Sequence, residues 1–125
     1  MAGSWTSFTK SLGTTSGQLG IIEKKYATFT ADSADASIPS TSCPIKGAFL
    51  CGFGVLFGTT PPSSLDIVLT DEDGLTIATG TLSASGRGTL STPVPILNSI
   101  NIALSGNTTN SATGTLYIYF LNNIL

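Results

Sequence analysis

The sequence predicts an all-β protein that folds as a single antiparallel β-sandwich. Short runs of alternating apolar and polar residues recur along the 125-residue chain. Turn signals rich in Gly, Pro, Asp and Asn separate these runs at intervals of roughly eight to twelve residues. No segment shows the 3.6-residue apolar period of an amphipathic helix. About seven short strands with this spacing are typical of a jelly-roll or an immunoglobulin-like sandwich, and the pattern does not choose between the two.

The segment KGAFLCGFGVLFG, residues 46–58, predicts the most deeply buried strand. Alternation places one set of apolar residues on a single face: Phe49, Cys51, Phe53, Val55 and Phe57. The other face carries Leu50, Leu56 and two glycines. Because neither face is polar, we expect both to be covered. The glycines permit a bulge or the close approach of another backbone.

Residues 65–79 are expected to form a β-hairpin. A four-residue loop with Asp71 first and Gly74 last suits a type I turn that closes on a left-handed glycine. The alternative is a cation site, whose oxygen ligands would come from Asp66, Asp71, Glu72 and Asp73. The further ligands of a calcium loop are missing, so the pattern favours the turn and we expect no metal and no cofactor.

The remaining pattern predicts three more strands and two irregular segments. The strands are expected at residues 26–31, 99–105 and 115–121. Residues 32–44 are expected to form a polar loop. Residues 81–97 are expected to be loosely structured with short edge strands, because Pro93 and Pro95 exclude a central strand.

The chain is expected to divide into an extended N-terminal arm, residues 1–22, and a sandwich domain, residues 23–125. The arm is rich in Gly, Ser and Thr and has no apolar period. Trp5, Phe8 and Leu12 are spaced through it. Large aromatic residues are rare in purely flexible tails. We therefore expect these three side chains to anchor the arm by docking.

The composition argues against an enzyme. The chain has no histidine, and charged residues make up 10% of it, so neither a Ser-His-Asp nor a Cys-His arrangement can be assembled. A net charge of −2 with five scattered basic residues is poorly suited to nucleic acid. Apolar runs reach about a dozen residues, short of the roughly 20 that a spanning helix needs. We expect no nucleic-acid, membrane or small-molecule partner.

Two further features of the sequence indicate the cellular compartment in which the protein is made. The first residues lack the basic start and the continuous apolar core of a signal peptide, which predicts synthesis in the cytoplasm. Cys43 and Cys51 have a spacing that fits no zinc pattern, and two cysteines make no disulfide framework. We expect both to be free thiols.

The low charge and a mean hydropathy of +0.33 predict that part of the surface is an interface. Tyr117 and Tyr119 are expected on the outward face of the last strand, where they suit a protein interface or carbohydrate stacking. Phe53 and the C-terminal Leu125 are the other candidate contacts.

From Gly47 onward the chain resembles small structural proteins of tailed-bacteriophage virions, of the capsid cement or decoration type. The resemblance rests on the order of four segments: AFLCGFGVLFGTTPPSS, LDIVLTDEDGLTIATG, PVPIL and INIALSGNTTNSATGTLYIYF. It implies a homotrimer or homodimer on the capsid surface, bound to neighbouring major capsid subunits. Two alternatives stay open: a tail, collar or fibre component, and a carbohydrate-binding module that uses Tyr117 and Tyr119.

Overall fold

The computed structural model describes residues 2–12, 20–45 and 47–123, and these ranges form ten antiparallel strands without a helix. The strands are β1 Ser4–Trp5, β2 Thr9–Leu12, β3 Gly20–Thr30, β4 Thr41–Pro44, β5 Ala48–Phe57, β6 Leu65–Asp71, β7 Thr76–Leu82, β8 Gly86–Ile96, β9 Ser99–Ser105 and β10 Thr113–Asn123. The described part of the chain thus contains no helix long and apolar enough to cross a bilayer.

Two packed sheets confirm the predicted antiparallel sandwich. The six-stranded sheet has the order β1-β3-β10-β5-β8, with β2 also paired to β3. The four-stranded sheet has the order β4-β9-β6-β7. Strand β10, the last in the chain, pairs with β3 on one side and β5 on the other. The fold is therefore closed by pairings between residues far apart in sequence.

One apolar core fills the space between the sheets. Its largest fully buried side chains are Phe29, Ile45, Leu50, Leu65, Ile67, Leu69, Ile100, Ile102, Leu116, Ile118 and Cys43. The contributions of β6, β9 and β10 follow strict alternation, with every second residue buried. Burying a side chain of this size contributes about 1.5–3 kcal/mol, so alternation in three strands sets which face of each sheet is inward.

A β-bulge at Cys51 divides strand β5 into two halves. Odd-numbered residues point outward before the bulge and inward after it. The pairing of β5 with both β10 and β8 steps from Leu50 directly to Gly52, so Cys51 has no partner in either ladder. One unpaired residue inverts the alternation beyond it. Leu50 and Phe53 are consequently both buried, whereas Phe49 points outward and is 40% exposed. The expectation that Phe49 shares a face with Phe53 is wrong for this reason.

Both segments expected to be irregular contain a strand at a sheet edge. Residues 86–96 form the eleven-residue strand β8 along the edge of the six-stranded sheet. Pro93 and Pro95 are compatible with that position because an edge strand pairs on one side only. The predicted loop 32–44 ends in β4, the edge of the four-stranded sheet, where Cys43 is fully buried.

The N-terminal residues belong to the six-stranded sheet. Strand β1 pairs with the end of β3, and β2 pairs with its middle, both in antiparallel register. The expected boundary between residues 22 and 23 falls inside β3. Residues 2–12 are therefore part of the sandwich rather than a projection from it.

Candidate interaction surfaces

The aromatic residues of the expected arm pack on the protein's own sandwich. The indole Nε1 of Trp5 donates a 2.7 Å hydrogen bond to the carbonyl oxygen of Pro39. The ring centroid of Trp5 lies 5.4 Å from that of Phe29 and 6.3 Å from that of Phe8. Both Trp5 and Phe8 are half-buried. Leu12 is the last residue of β2, and its side chain, like Leu125, lies outside the described residues.

Phe53, expected as a partner contact, is a core residue. It is 3% exposed, and its ring fills space left by two glycines. A Cβ added at Gly88 would lie 2.5 Å from Cζ of Phe53, and one at Gly80 would lie 3.2 Å from the same atom. The ring is thus enclosed by backbone, which corrects its assignment to an interface.

Tyr117 and Tyr119 lie on the outward face of β10, as expected, and both are half-exposed. A third residue joins them, because Tyr26 of β3 pairs directly with Tyr117. The two ring centroids are 6.0 Å apart. We call these three residues the tyrosine face. Tyr26 is visible in the sequence as part of a strand, but only the β3–β10 register places it beside Tyr117.

Two cations accompany the tyrosine face. The Nζ atom of Lys24 lies 5.1 Å from the ring centroid of Tyr117. The guanidinium carbon of Arg87 lies 5.8 Å from the ring centroid of Tyr119. Contacts at these distances are cation–π interactions, worth about 0.5–1 kcal/mol at exposed sites. They hold both positive charges close to the aromatic rings.

A shallow groove of about 310 Å³ runs beside the tyrosines. It is lined by Gly54, Leu56, Ser85, Arg87, Tyr117 and Tyr119, among others. Gly54 pairs with both Tyr117 and Arg87 across the sheet, so the floor of the groove has no side chain between them, and Gly54 itself is buried.

A second surface is formed where three turns meet at one end of the sandwich. The amide N–H groups of Ile45 and Gly47 donate to the carbonyl oxygens of Asn98 and Leu97, over 2.8 and 3.0 Å. The carboxylate of Glu72 accepts hydrogen bonds from the backbone N–H and the side-chain Nδ2 of Asn98, over 3.0 and 2.8 Å. These contacts join the turn between β8 and β9 to the β4–β5 connection and to the β6–β7 hairpin.

Large apolar side chains project from this end. Leu75 is 67% exposed and Leu97 is 73% exposed, and Phe49 follows the β4–β5 turn. We call these three residues the apolar end. The apolar end cannot be predicted from the alternation of apolar and polar residues. Leu75 and Leu97 lie in turns, and alternation assigns Phe49 to the inner face of the sheet.

Three of the four acidic residues of the β6–β7 hairpin have structural partners for their carboxylates: Asp66, Asp71 and Glu72. Asp71 Oδ1 accepts hydrogen bonds from the backbone N–H groups of Asp73 and Leu75, both at 2.9 Å. Gly74 has φ +87° and donates to the carbonyl oxygen of Asp71. This is the expected turn with its left-handed glycine. Asp66 Oδ1 accepts from the hydroxyl of Thr81 at 2.9 Å, and no group of three potential metal ligands occurs in the described ranges.

Both cysteines are free thiols in the structure. Burial raises the pKa of Cys43 to about 11, although the nearby Lys25 ammonium opposes the shift. Burial also raises the pKa of Cys51. Thiols of this kind stay protonated at neutral pH, and the protonated form is the unreactive one.

No protein-family model matches the chain, and no curated protein matches it significantly. Among solved structures, a chain from the work "Bacillus endospore appendages form a novel family of disulfide-linked pili" aligns with a TM-score of 0.49 and 17% identity. The alignment covers 92% of this chain and 99% of that one.

Proposed function

We propose that this chain is a virion structural protein, a decoration protein that lies on the capsid surface and binds neighbouring major capsid subunits. The resemblance from Gly47 onward supports the class of protein. The apolar end supports the mode of attachment and is the observation that carries the proposal. A trimer or dimer would present two or three such ends to the shell at once.

The apolar end differs from ordinary exposed residues because its members lie on or next to connected turns, and Phe49 and Leu97 line the same surface cavity. Single apolar side chains on a surface need no explanation, whereas adjoining ones mark interaction sites. Leu75 and Leu97 belong to different turns, and the bidentate contact of Glu72 with Asn98 holds those turns together. A patch fixed before binding loses little conformational freedom on docking. The apolar end is therefore suited to seating on a second subunit.

Two or three copies of this weak contact would together bind the shell strongly. The patch is small for a stable interface, which usually buries about 800 Å² per partner. When two or three copies are joined, the second and third contacts form at a high effective concentration, and the overall affinity exceeds that of each contact. The low charge of the surface also reduces the cost of removing water from it.

The test uses shells purified without this protein, to which purified variants are added. We expect Leu75→Ser combined with Leu97→Ser to lower shell binding at least about tenfold, because each truncated anchor removes a contact of more than about 1 kcal/mol. Leu56→Ser is the matched control, since Leu56 is also exposed but lies on the outward sheet face. Undiminished binding of the double variant would refute attachment through the apolar end.

Copy number separates this proposal from its closest alternative. A decoration protein is present in hundreds of copies per particle and gives density spread over the shell. A tail, collar or fibre component is present in a handful of copies at one vertex. Quantitative staining of purified virions therefore decides between them, and a handful of copies would overturn the decoration proposal.

A further inference from the structure

We infer that the groove beside Tyr117 and Tyr119 is a binding site for an anionic saccharide. This goes beyond the proposed attachment to a shell, and it rests on a different surface. Four properties of the outward face of the six-stranded sheet carry it: exposed aromatic rings, a floor without a side chain, two cations and a lack of acidic residues.

The aromatic rings supply the stacking surface. Tyr26, Tyr117 and Tyr119 present an amphipathic side chain with an apolar ring and a polar hydroxyl. A sugar ring is matched to such a surface, because its C–H groups form an apolar face and its hydroxyls form hydrogen bonds at the rim. The groove of about 310 Å³ lies at the lower end of the range of small-ligand sites.

Gly54 leaves the floor of the groove without a side chain. A Cβ added there would meet Cβ of Arg87 at 3.6 Å and Cε2 of Tyr119 at 3.7 Å, which are ordinary van der Waals contacts. Packing therefore does not require glycine at this position, in contrast to Gly88 and Gly114, where an added Cβ would lie under 3.0 Å from a phenylalanine ring. Gly54 keeps the groove between Tyr119 and Arg87 deeper than a residue with a side chain would.

The charges on this face are of one sign. Lys24 and Arg87 both project from it. The seven acidic residues of the chain lie elsewhere in the structure. Glu23 is buried, and the other six lie in the loop after β3 or in the β6–β7 hairpin: Asp32, Asp35, Asp66, Asp71, Glu72 and Asp73. A chain of net negative charge therefore keeps one sheet face positive, which selects an anionic ligand.

The spacing of the cations favours an oligosaccharide over a single sugar. Lys24 is on β3 and Arg87 is on β8, and the strand order places β10 and β5 between them. Three strand spacings amount to about 14 Å. A chain of two or three sugar units that carry carboxylate or sulfate groups can reach both cations and stack on the tyrosines between them.

The surroundings of the groove favour a saccharide over a protein partner. The outward residues beyond the tyrosines include the hydroxyl-bearing Thr28, Thr30 and Thr115, together with the exposed Leu56. The core of a protein interface is apolar and depleted of charge. A face that combines hydroxyls, two cations and amphipathic tyrosine rings has the composition of a site for a polar ligand.

The experiment measures binding of defined oligomers to the full-length purified protein by calorimetry. The probes are a uronate oligomer, a sulfated heparin oligomer, a neutral glucose oligomer of the same length and an oligo-glutamate peptide. We expect the uronate or the sulfated oligomer to bind at least about tenfold more tightly than the neutral one, because charge-assisted hydrogen bonds to two cations contribute only to the acidic ligand. The two acidic probes distinguish carboxylate from sulfate as the recognised group.

Three variants test the groove itself. Tyr119→Ala removes a stacking surface, Arg87→Gln removes a cation, and Gly54→Val fills the floor. Each is expected to weaken binding at least about fivefold. Asp66→Asn on the opposite sheet is the control, since it changes the net charge by one unit, as Arg87→Gln does in the other direction, but leaves the groove intact. It should bind the acidic oligomer as the wild type does.

The alternative outcomes overturn the inference. Equal binding of neutral and acidic oligomers, tighter binding of oligo-glutamate than of either acidic saccharide, or full binding by Gly54→Val would each refute the site. Tighter binding of oligo-glutamate would assign the face to an acidic protein surface instead. The variant Leu75→Ser with Leu97→Ser should keep saccharide binding, so failure of shell attachment and failure of this site are distinguishable.

Discussion

The side-chain amide of Asn107 donates a 3.0 Å hydrogen bond to the carbonyl oxygen of Ala36, 71 residues earlier in the chain. The same Nδ2 group donates to the carbonyl oxygen of Thr109 at 2.9 Å. Oδ1 of Asn107 accepts from the backbone N–H groups of Ser63 and Thr109, at 3.1 and 3.0 Å. One amide thus satisfies four polar contacts and joins three loops at the end of the sandwich opposite the apolar end.

Replacing this amide should be costly. We expect Asn107→Ala to lower the free energy of unfolding by about 2–3 kcal/mol, because several backbone groups lose their partner and each hydrogen bond contributes about 1 kcal/mol. Urea denaturation followed by circular dichroism measures the change. Asn101→Ala, at an exposed position of β9, is the matched control and should change stability by under about 0.5 kcal/mol. Similar values for the two variants would show that the Asn107 contacts do not join the loops.

A second prediction compares two glycines in paired strands. In Gly88→Ala the new Cβ would approach Cζ of Phe53 to 2.5 Å, so the ring or the backbone must move. We expect a loss of about 1–3 kcal/mol, the usual cost of overpacking. In Gly54→Ala the nearest atoms are at 3.6 Å, and the variant should unfold at the same urea concentration as the wild type or a higher one. Equal destabilisation of both variants would contradict the enclosure of Phe53.

The sequence predicts the features of this fold that depend on local signals, and it does not predict those that depend on pairing between distant strands. Alternation alone identifies the inward faces of β6, β9 and β10, and Asp71 with Gly74 identifies the hairpin turn, because those signals are local. The position of the bulge at Cys51, by contrast, depends on strands that are distant in the sequence. Glycines near it permit a bulge at several positions, and the pairing of two neighbouring strands selects one of them.

Some residues of the candidate surfaces can likewise be predicted from the sequence, and others cannot. The outward placement of Tyr117 and Tyr119 is predictable because they alternate with buried residues of one strand. Lys24 and Arg87 join them only through the register of four strands. Leu97 gives no signal at all in a turn, since its hydrogen bond with Gly47 depends on the register of β5 with β8.

A third prediction concerns the rigidity of the apolar end. Glu72→Ala removes both hydrogen bonds to Asn98. Because these groups are exposed, we expect a loss of only about 1 kcal/mol in global stability. Amide hydrogen exchange should change more, with the Asn98 N–H exchanging at least about tenfold faster while core amides keep their rates. Glu72→Gln retains an acceptor and should show an intermediate effect. Unchanged exchange at Asn98 in Glu72→Ala would contradict the clamp between the two turns.

The last prediction uses the buried thiol of Cys43. Its pKa is about 11 in the folded protein, raised from about 9 by burial. Below pH 9 the thiol is protonated in both states and pH has no effect through it. Between pH 9 and pH 11 the unfolded chain releases this proton while the folded protein retains it, so stability falls as the pH rises. Allowing for partial screening by solvent, we expect the fall to be about 1 kcal/mol over this interval.

Cys43→Ala should remove that part of the pH dependence. Its absolute stability will be lower, because the substitution leaves a small space in the core, so the comparison is between slopes of unfolding free energy against pH rather than between values at one pH. Other groups titrate in the same range in both proteins, and their contribution cancels in the difference. Cys51→Ala is the comparison variant and should change the slope less than Cys43→Ala does, because Cys51 is less deeply buried. If the slopes of wild type and Cys43→Ala coincide between pH 9 and pH 11, the thiol of Cys43 is ionised as readily in the folded protein as in the unfolded chain, and its burial in the β4 edge of the core is refuted.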